Sequence, residues 1–87
     1  MLFFFPESAK AAFWMKNVKF PIDIIWIENN KVVGIEKNVQ PQPGVADSDL
    51  ALYYSPGLIR HVLEVNAGFS DSNGIENGDE VVIPSDL

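Results

Sequence analysis

Hydrophobic residues fall in short runs, each closed by proline, glycine or asparagine within a few positions, the pattern of an all-β domain. The first run, Leu2 to Phe5, is closed by Pro6-Glu7-Ser8. Ala9-Lys10-Ala11-Ala12 is too short to hold a helix alone and reads as a bend into a second strand, Ala12 to Lys16. Asn17 to Pro21 is a connection, because Pro21 forces Phe20 to extended geometry and cannot donate within a ladder. Ile22 to Ile27 is the strongest strand. It is β-branched or aromatic almost throughout and apolar on both faces except at Asp23, which predicts a central position.

Glu28-Asn29-Asn30-Lys31 predicts a hairpin turn, since asparagine tolerates positive φ, and the returning strand runs from Lys31 to about Val39. Gln40 to Asp49 is the longest loop, kept irregular by Pro41, Pro43 and Gly44. Leu50 to Tyr54 predicts a short strand ahead of a Ser55-Pro56-Gly57 turn. In the next strand, Leu58 to Val65, alternation puts Arg60, Val62 and Glu64 on one face and Ile59, His61, Leu63 and Val65 on the other. Ala67 to Asn73 suits a single helical turn ended by Gly74 in a left-handed cap. Ile75 anchors a Glu76–Asp79 turn ordered by Asp79, and Glu80 to Ile83 is the last predicted strand before Pro84.

At 87 residues the chain makes one domain, 1–87. Its apolar fraction of 47% supports a real core rather than disorder. No apolar run approaches the ~20 residues of a membrane helix, so no membrane span is expected. Met1 to Pro6 lacks the basic region and cleavage site of a signal peptide. The absence of cysteine removes disulfides, thiolate nucleophiles and thiolate metal sites. Twelve carboxylates against six basic residues give a charge of −6, which repels phosphate backbones and argues against nucleic-acid partners.

Phe13-Trp14-Met15-Lys16-Asn17 followed by Pro21-Ile22-Asp23-Ile24-Ile25-Trp26-Ile27 resembles the central motif of the domain-of-unknown-function 192 family. Ser55-Pro56-Gly57, Val62-Leu63-Glu64-Val65, Ala67-Gly68 and Gly74-Ile75…Gly78-Asp79-Glu80-Val81 match its later landmarks in order. The resemblance implies a mainly β fold, a small β-sandwich or half-barrel with one or two short helical turns, α+β at the margin. It names no activity. It implies relatives that are often exported or lipid-anchored, whereas this chain, without a signal peptide, reads as cytoplasmic as it stands. Two departures stand out. The family's N-terminal strand and helical segment are expected to be lacking here, and Asp49 to Tyr54 carries no counterpart of the cysteine usual in that stretch. A sheet short of a strand leaves an unpaired edge, from which a homodimer or higher oligomer is expected.

Lys16, Asn17 and Asp23 are the most site-like residues, with Trp14 as a wall. An aspartate in an apolar strand needs a charge partner or several donors. One reading folds Lys16 towards Asp23 around a pocket for an anionic or hydroxyl-rich ligand. The other makes Asp23 a structural lock on the amides of the Asn17–Phe20 loop, and is favoured because buried polar groups most often satisfy backbone. A lone histidine, His61, cannot supply a zinc site, and no serine sits in a nucleophile-elbow context. Trp14, Trp26, Tyr53 and Tyr54 suggest stacking on a sugar or peptide, against the more ordinary role of core aromatics. No catalytic residue, metal ligand or cofactor is assigned. The expected function is a non-enzymatic module for a small polar ligand or a protein partner. The alternative is a hydrolase-like enzyme using Asp23 and His61.

Overall fold

Every position from Ile22 to Ile27 is buried, and a strand that alternates its side chains can achieve this only if both faces are covered. The computed structural model describes residues 1–84 and shows how that is done. The elements are β1 (Leu2–Ala9), β2 (Ala12–Phe13), β3 (Ile22–Glu28), β4 (Lys31–Val39), β5 (Tyr53–Tyr54), β6 (Ile59–Asn66) and a one-turn helix, α1 (Phe69–Ser72). A 3-10 turn occupies Asp47–Asp49. The main sheet is antiparallel in the order β1-β6-β3-β4, so β3 is an inner strand.

On one face of that sheet Ile22, Ile24 and Trp26 pack with Met15, Val39, Ile59 and Val62. A second, two-stranded sheet of β2 and β5 covers them. Phe13 of this ribbon sets its ring 5.1 Å from Phe3 and 5.6 Å from Trp26, and Tyr53 packs beside it. On the opposite face Ile25, Ile27 and Val32 are covered by Ile75, Val81 and Ile83. Each fully buried aliphatic side chain contributes about 1.5–3 kcal/mol, so β3 concentrates much of the stabilising burial in one strand. The fold is mainly β and antiparallel, and its sheets do not close into a barrel.

The hairpin after β3 is the expected one: Asn29 (φ 52°) and Asn30 (φ 58°) are both left-handed, the geometry that matches strand twist. The helical turn and its end also stand, with Gly74 at φ 62° and the Ile75 amide donating to the Ser70 carbonyl. Asp79 orders the Glu76–Asp79 turn by accepting from the Glu76 amide at 2.8 Å.

Five expectations need correction. The Leu50–Tyr54 strand is reduced to Tyr53–Tyr54, because Leu50 caps the 3-10 turn at Asp47–Asp49. β1 runs on through Pro6 to Ala9, which an edge strand permits because its outer side needs no donor. The second strand shrinks to Ala12–Phe13, because Met15 turns inward and Lys16-Asn17 form a turn. Ile59 joins the cluster of Val62 rather than that of Leu63 and Val65. The departure falls where the pairing with β1 slips: β1 advances from Phe4 to Ala9 while its partner advances only from His61 to Ile59. Glu80–Ile83 is no strand but a single bridge from Glu80 to Lys31, with the Val81 amide on the Asn30 carbonyl. Beyond that point the partner backbone turns away at Asn29–Asn30, and nothing is left to pair with.

Gly34 lies opposite Trp26. A Cβ there would sit 3.2 Å from Trp26 Cδ1 and 3.1 Å from Pro56 Cγ. The indole is held by the core and cannot yield freely. Gly34→Ala is therefore expected to destabilise the fold by about 1 kcal/mol, overpacking outweighing the entropic gain of alanine. Urea denaturation measures this, and a neutral or stabilised variant would contradict the close packing of Trp26.

Candidate functional site

Two segments flank a cleft of about 350 Å³ at one end of the covered face. The first is the turn after β2. Asn17 adopts φ 63° and the Val18 amide donates to the Met15 carbonyl at 3.1 Å, which throws Lys16 and Asn17 outward from the buried Met15. The second is the Pro41–Leu50 loop, anchored at its end by buried Leu50. Gln42 stiffens the loop by accepting from the Ala51 amide at 2.9 Å. Lys16 Nζ spans the two segments in an ion pair with Asp47 Oδ2 at 2.7 Å. Both side chains are about half exposed, so the pair is weak and easily exchanged for other partners. The same ammonium lies 5.4 Å from the centre of the Trp14 ring, a cation–π contact that ties Trp14 to the cleft without making it a wall.

Lys16 and Asn17 therefore share a cleft, Trp14 stands beside it, and Asp23 lies apart. Asp23 is 1% exposed, on the other face of β3. Its Oδ1 accepts from the Asn38 amide at 2.9 Å; its Oδ2 accepts from the Ser70 amide at 3.0 Å and the Ser70 hydroxyl at 2.7 Å. Asp23 is thus a structural lock, but not on the Asn17–Phe20 loop, and Lys16 does not fold back to it. Asn38 (φ 54°) sits in β4 where the pairing with β3 slips between Ile22 and Ile24. That slip frees an amide for the carboxylate. Burial pushes the Asp23 pKa up, but the hydrogen bonds from Asn38 and Ser70 outweigh it and hold the group below the usual carboxylate range.

Asp23 and His61 do not form a site. In the sheet Asp23 is opposite Val65 and His61 opposite Ile27, four steps away along β3, or about 13 Å at ~3.3 Å per residue. The His61 ring packs 5.3 Å from that of Phe4. Burial and the neighbouring Arg60 charge lower its pKa, against a smaller opposing effect of Glu28. A recess of about 580 Å³ beside it is bordered by Ile83 and Pro84, the last described residues. Arg60 and Glu64, a candidate ion pair by spacing, are not paired: Arg60 Nε donates to the Phe5 carbonyl. Among the described residues no three histidine or carboxylate side chains are grouped to hold a metal ion. No described helix is long and apolar enough to cross a membrane.

Sequence reasoning missed Asp47, Asn38 and Ser70. An asparagine inside an otherwise regular strand was the available signal for Asn38, since it marks a left-handed bulge. Nothing local marks Asp47 or Ser70, which meet their partners from 31 and 47 residues away.

The model of the family described as DUF192, uncharacterized ACR, matches residues 1–83. The chain belongs to this family. No curated protein matches it. Two crystal structures are similar to it, each 32% identical in sequence. One, from Novosphingobium aromaticivorans DSM 12444, is a protein of unknown function; it matches with a TM-score of 0.82 over 95% of this chain and 56% of its own. The other, from Sinorhizobium meliloti 1021, is provisionally described as a transcription regulator; it matches with a TM-score of 0.79 over 92% of this chain and 58% of its own. The DUF192 chain thus spans a little over half the length of these solved relatives.

The lowered Asp23 pKa fixes a pH dependence. On acidification the unfolded chain binds this proton before the folded one does, so the stabilisation is complete above the unfolded-chain value of ~3.9 and is lost as pH falls from there through the folded value. Asp23→Asn replaces an acceptor with a donor facing the Asn38 or Ser70 groups and is expected to cost on the order of 3 kcal/mol. Chemical denaturation of both proteins at pH 2.5 to 7 checks this. An unchanged stability in the variant, or an acid slope that survives it in full, would remove Asp23 from the lock.

Proposed function

We propose that this DUF192 chain is a non-enzymatic binding module whose small polar ligand enters the cleft between the Met15–Lys19 turn and the Pro41–Leu50 loop. The supporting observation is Lys16: its ammonium bridges the cleft to Asp47 at 2.7 Å through a half-exposed pair that a ligand can exchange with. Asn17 adds an amide able to donate and accept beside it. Asp23 takes no part in contact, because both its oxygens are committed to Asn38 and Ser70. The separation of Asp23 from His61 weighs against the hydrolase-like alternative.

A second reading concerns self-association. Met1 exchanges both backbone hydrogen bonds with Glu64, so by antiparallel alternation the peptide groups of Leu2 and Phe4 point away from β6. β1 is the outer strand of its sheet, and the Phe4 side chain is 60% exposed. Such an edge invites a second strand, and a homodimer paired through β1 satisfies it.

Both readings have direct measurements. In a ligand screen followed by amide chemical shifts, hits are expected to move Lys16, Asn17 and the 41–50 loop, and Lys16→Met is expected to weaken them by about tenfold or more. Hits that cluster elsewhere, or that bind Lys16→Met equally, would end the cleft reading. Light scattering is expected to give twice the chain mass at tens of micromolar, falling to one chain mass in Phe4→Lys. A dilution-independent monomer in the unsubstituted protein would end the dimer.

A further inference from the structure

The ribbon of β2 and β5 has one face in the core and one in solvent. Its register pairs Ala12 with Tyr54 and Phe13 with Tyr53, and a bond from the Ser55 amide to the Ala11 carbonyl extends it by a step. Phe13 and Tyr53 point inward to the cluster around Trp26. Alternation therefore sends Tyr54 outward with Ala12, and one step on it brings Trp14 and Leu52 to the same outer face. Their exposures agree: 42% for Trp14, 49% for Leu52 and 65% for Tyr54. Continued one step past Phe13, the ladder makes Trp14 a diagonal neighbour of Tyr54, a residue spacing of about 7–8 Å that a single extended ligand can span. Of the four aromatics singled out for stacking, Trp26 and Tyr53 serve the core, while Tyr54 and Trp14, the latter with the Lys16 ammonium 5.4 Å from its ring centre, are displayed to solvent.

We infer that this outer face is a stacking platform for a neutral saccharide, with Trp14 and Tyr54 beneath the sugar rings and the Lys16–Asp47 pair binding their hydroxyls. The inference rests on the cleft reading above, because Lys16 belongs to both surfaces, and it names the ligand class. Three observations select this occupant. The platform offers on the order of 300 Å² of apolar side-chain surface, well under the ~800 Å² per partner that a stable protein interface buries. The Lys16 charge is already compensated by Asp47 on a chain of net charge −6, so an anion gains little from the field. An ammonium only donates and a carboxylate only accepts, whereas a hydroxyl does both; a Lys–Asp pair at the rim of two exposed rings thus matches a ligand with an apolar ring face and hydroxyl edges.

The test uses the full chain and a panel of neutral hexasaccharides built from glucose, mannose, xylose or N-acetylglucosamine, with hexagalacturonate and inorganic phosphate as anionic comparisons. The protein has two tryptophans, one on the platform and one in the core, so two indole N–H resonances report separately. At least one neutral hexasaccharide is expected to shift the Trp14 resonance saturably and leave Trp26 unmoved. Tyr54→Ala, which touches neither the core nor the cleft, is expected to weaken that binding at least about tenfold, while Tyr54→Phe retains it. The inference is overturned if no neutral hexasaccharide moves Trp14, or if Tyr54→Ala binds as well as the unsubstituted protein. Phosphate or hexagalacturonate shifting Lys16 and Asn17 without any neutral sugar doing so would overturn it too, and would leave the cleft reading standing.

Discussion

The Asp23 carboxylate is buried in the middle of an apolar strand, and a charge so placed is tolerated only where donors replace the water it has lost. Three donors do so. One comes from the bulge in β4 and two from Ser70 in the helical turn that follows β6. The carboxylate therefore joins β3, β4 and α1 at one point. A one-turn helix has no stability of its own and depends on being held. α1 is held by Asp23, with the exposed Lys37–Asp71 pair at 2.6 Å adding little. Once α1 is in place, Ile75 and the Glu76–Asp79 turn follow it onto the face of Ile25 and Ile27.

The other face of β3 is organised differently and by apolar contact. Trp26 fills the space between the main sheet and the ribbon, and Gly34 leaves room for it. Covering this face with a two-stranded ribbon has a consequence for function. The ribbon is thin, so residues alternate within it between deep core and open solvent. Phe13 and Tyr53 secure the ribbon, and Trp14 and Tyr54 are displayed by the same alternation. Met15 then turns inward, which leaves Lys16 and Asn17 at the rim facing the Pro41–Leu50 loop. The rigid part of the fold thus positions both the cleft and the exposed rings.

Much of this architecture was legible in the residues. β3 and its hairpin follow from β-branched content and two consecutive asparagines, and β4 ends ahead of the loop that Pro41, Pro43 and Gly44 keep irregular. The interior place of Asp23 was legible from its apolar neighbours, and so was its role as a backbone lock. Its partners were not, because Asn38 and Ser70 lie 15 and 47 residues away and no local pattern points from one to the other. Ile59 departs from simple alternation at the start of β6, where the pairing with β1 slips, and nothing in its neighbouring residues signals that slip. Trp14, Lys16 and Asn17 were picked out by residue type. Only the fold separates them from Asp23 and joins Lys16 to Asp47.

Native-state hydrogen exchange of the Asn38 and Ser70 amides tests the central role of Asp23 most directly. A bulged amide near a sheet edge and an amide in a four-residue helix would exchange quickly if nothing but local structure protected them. Both are expected to exchange only through global unfolding, at the same free energy as the amides of β3. Exchange at the rate of exposed loop amides such as that of Gly44 would contradict it.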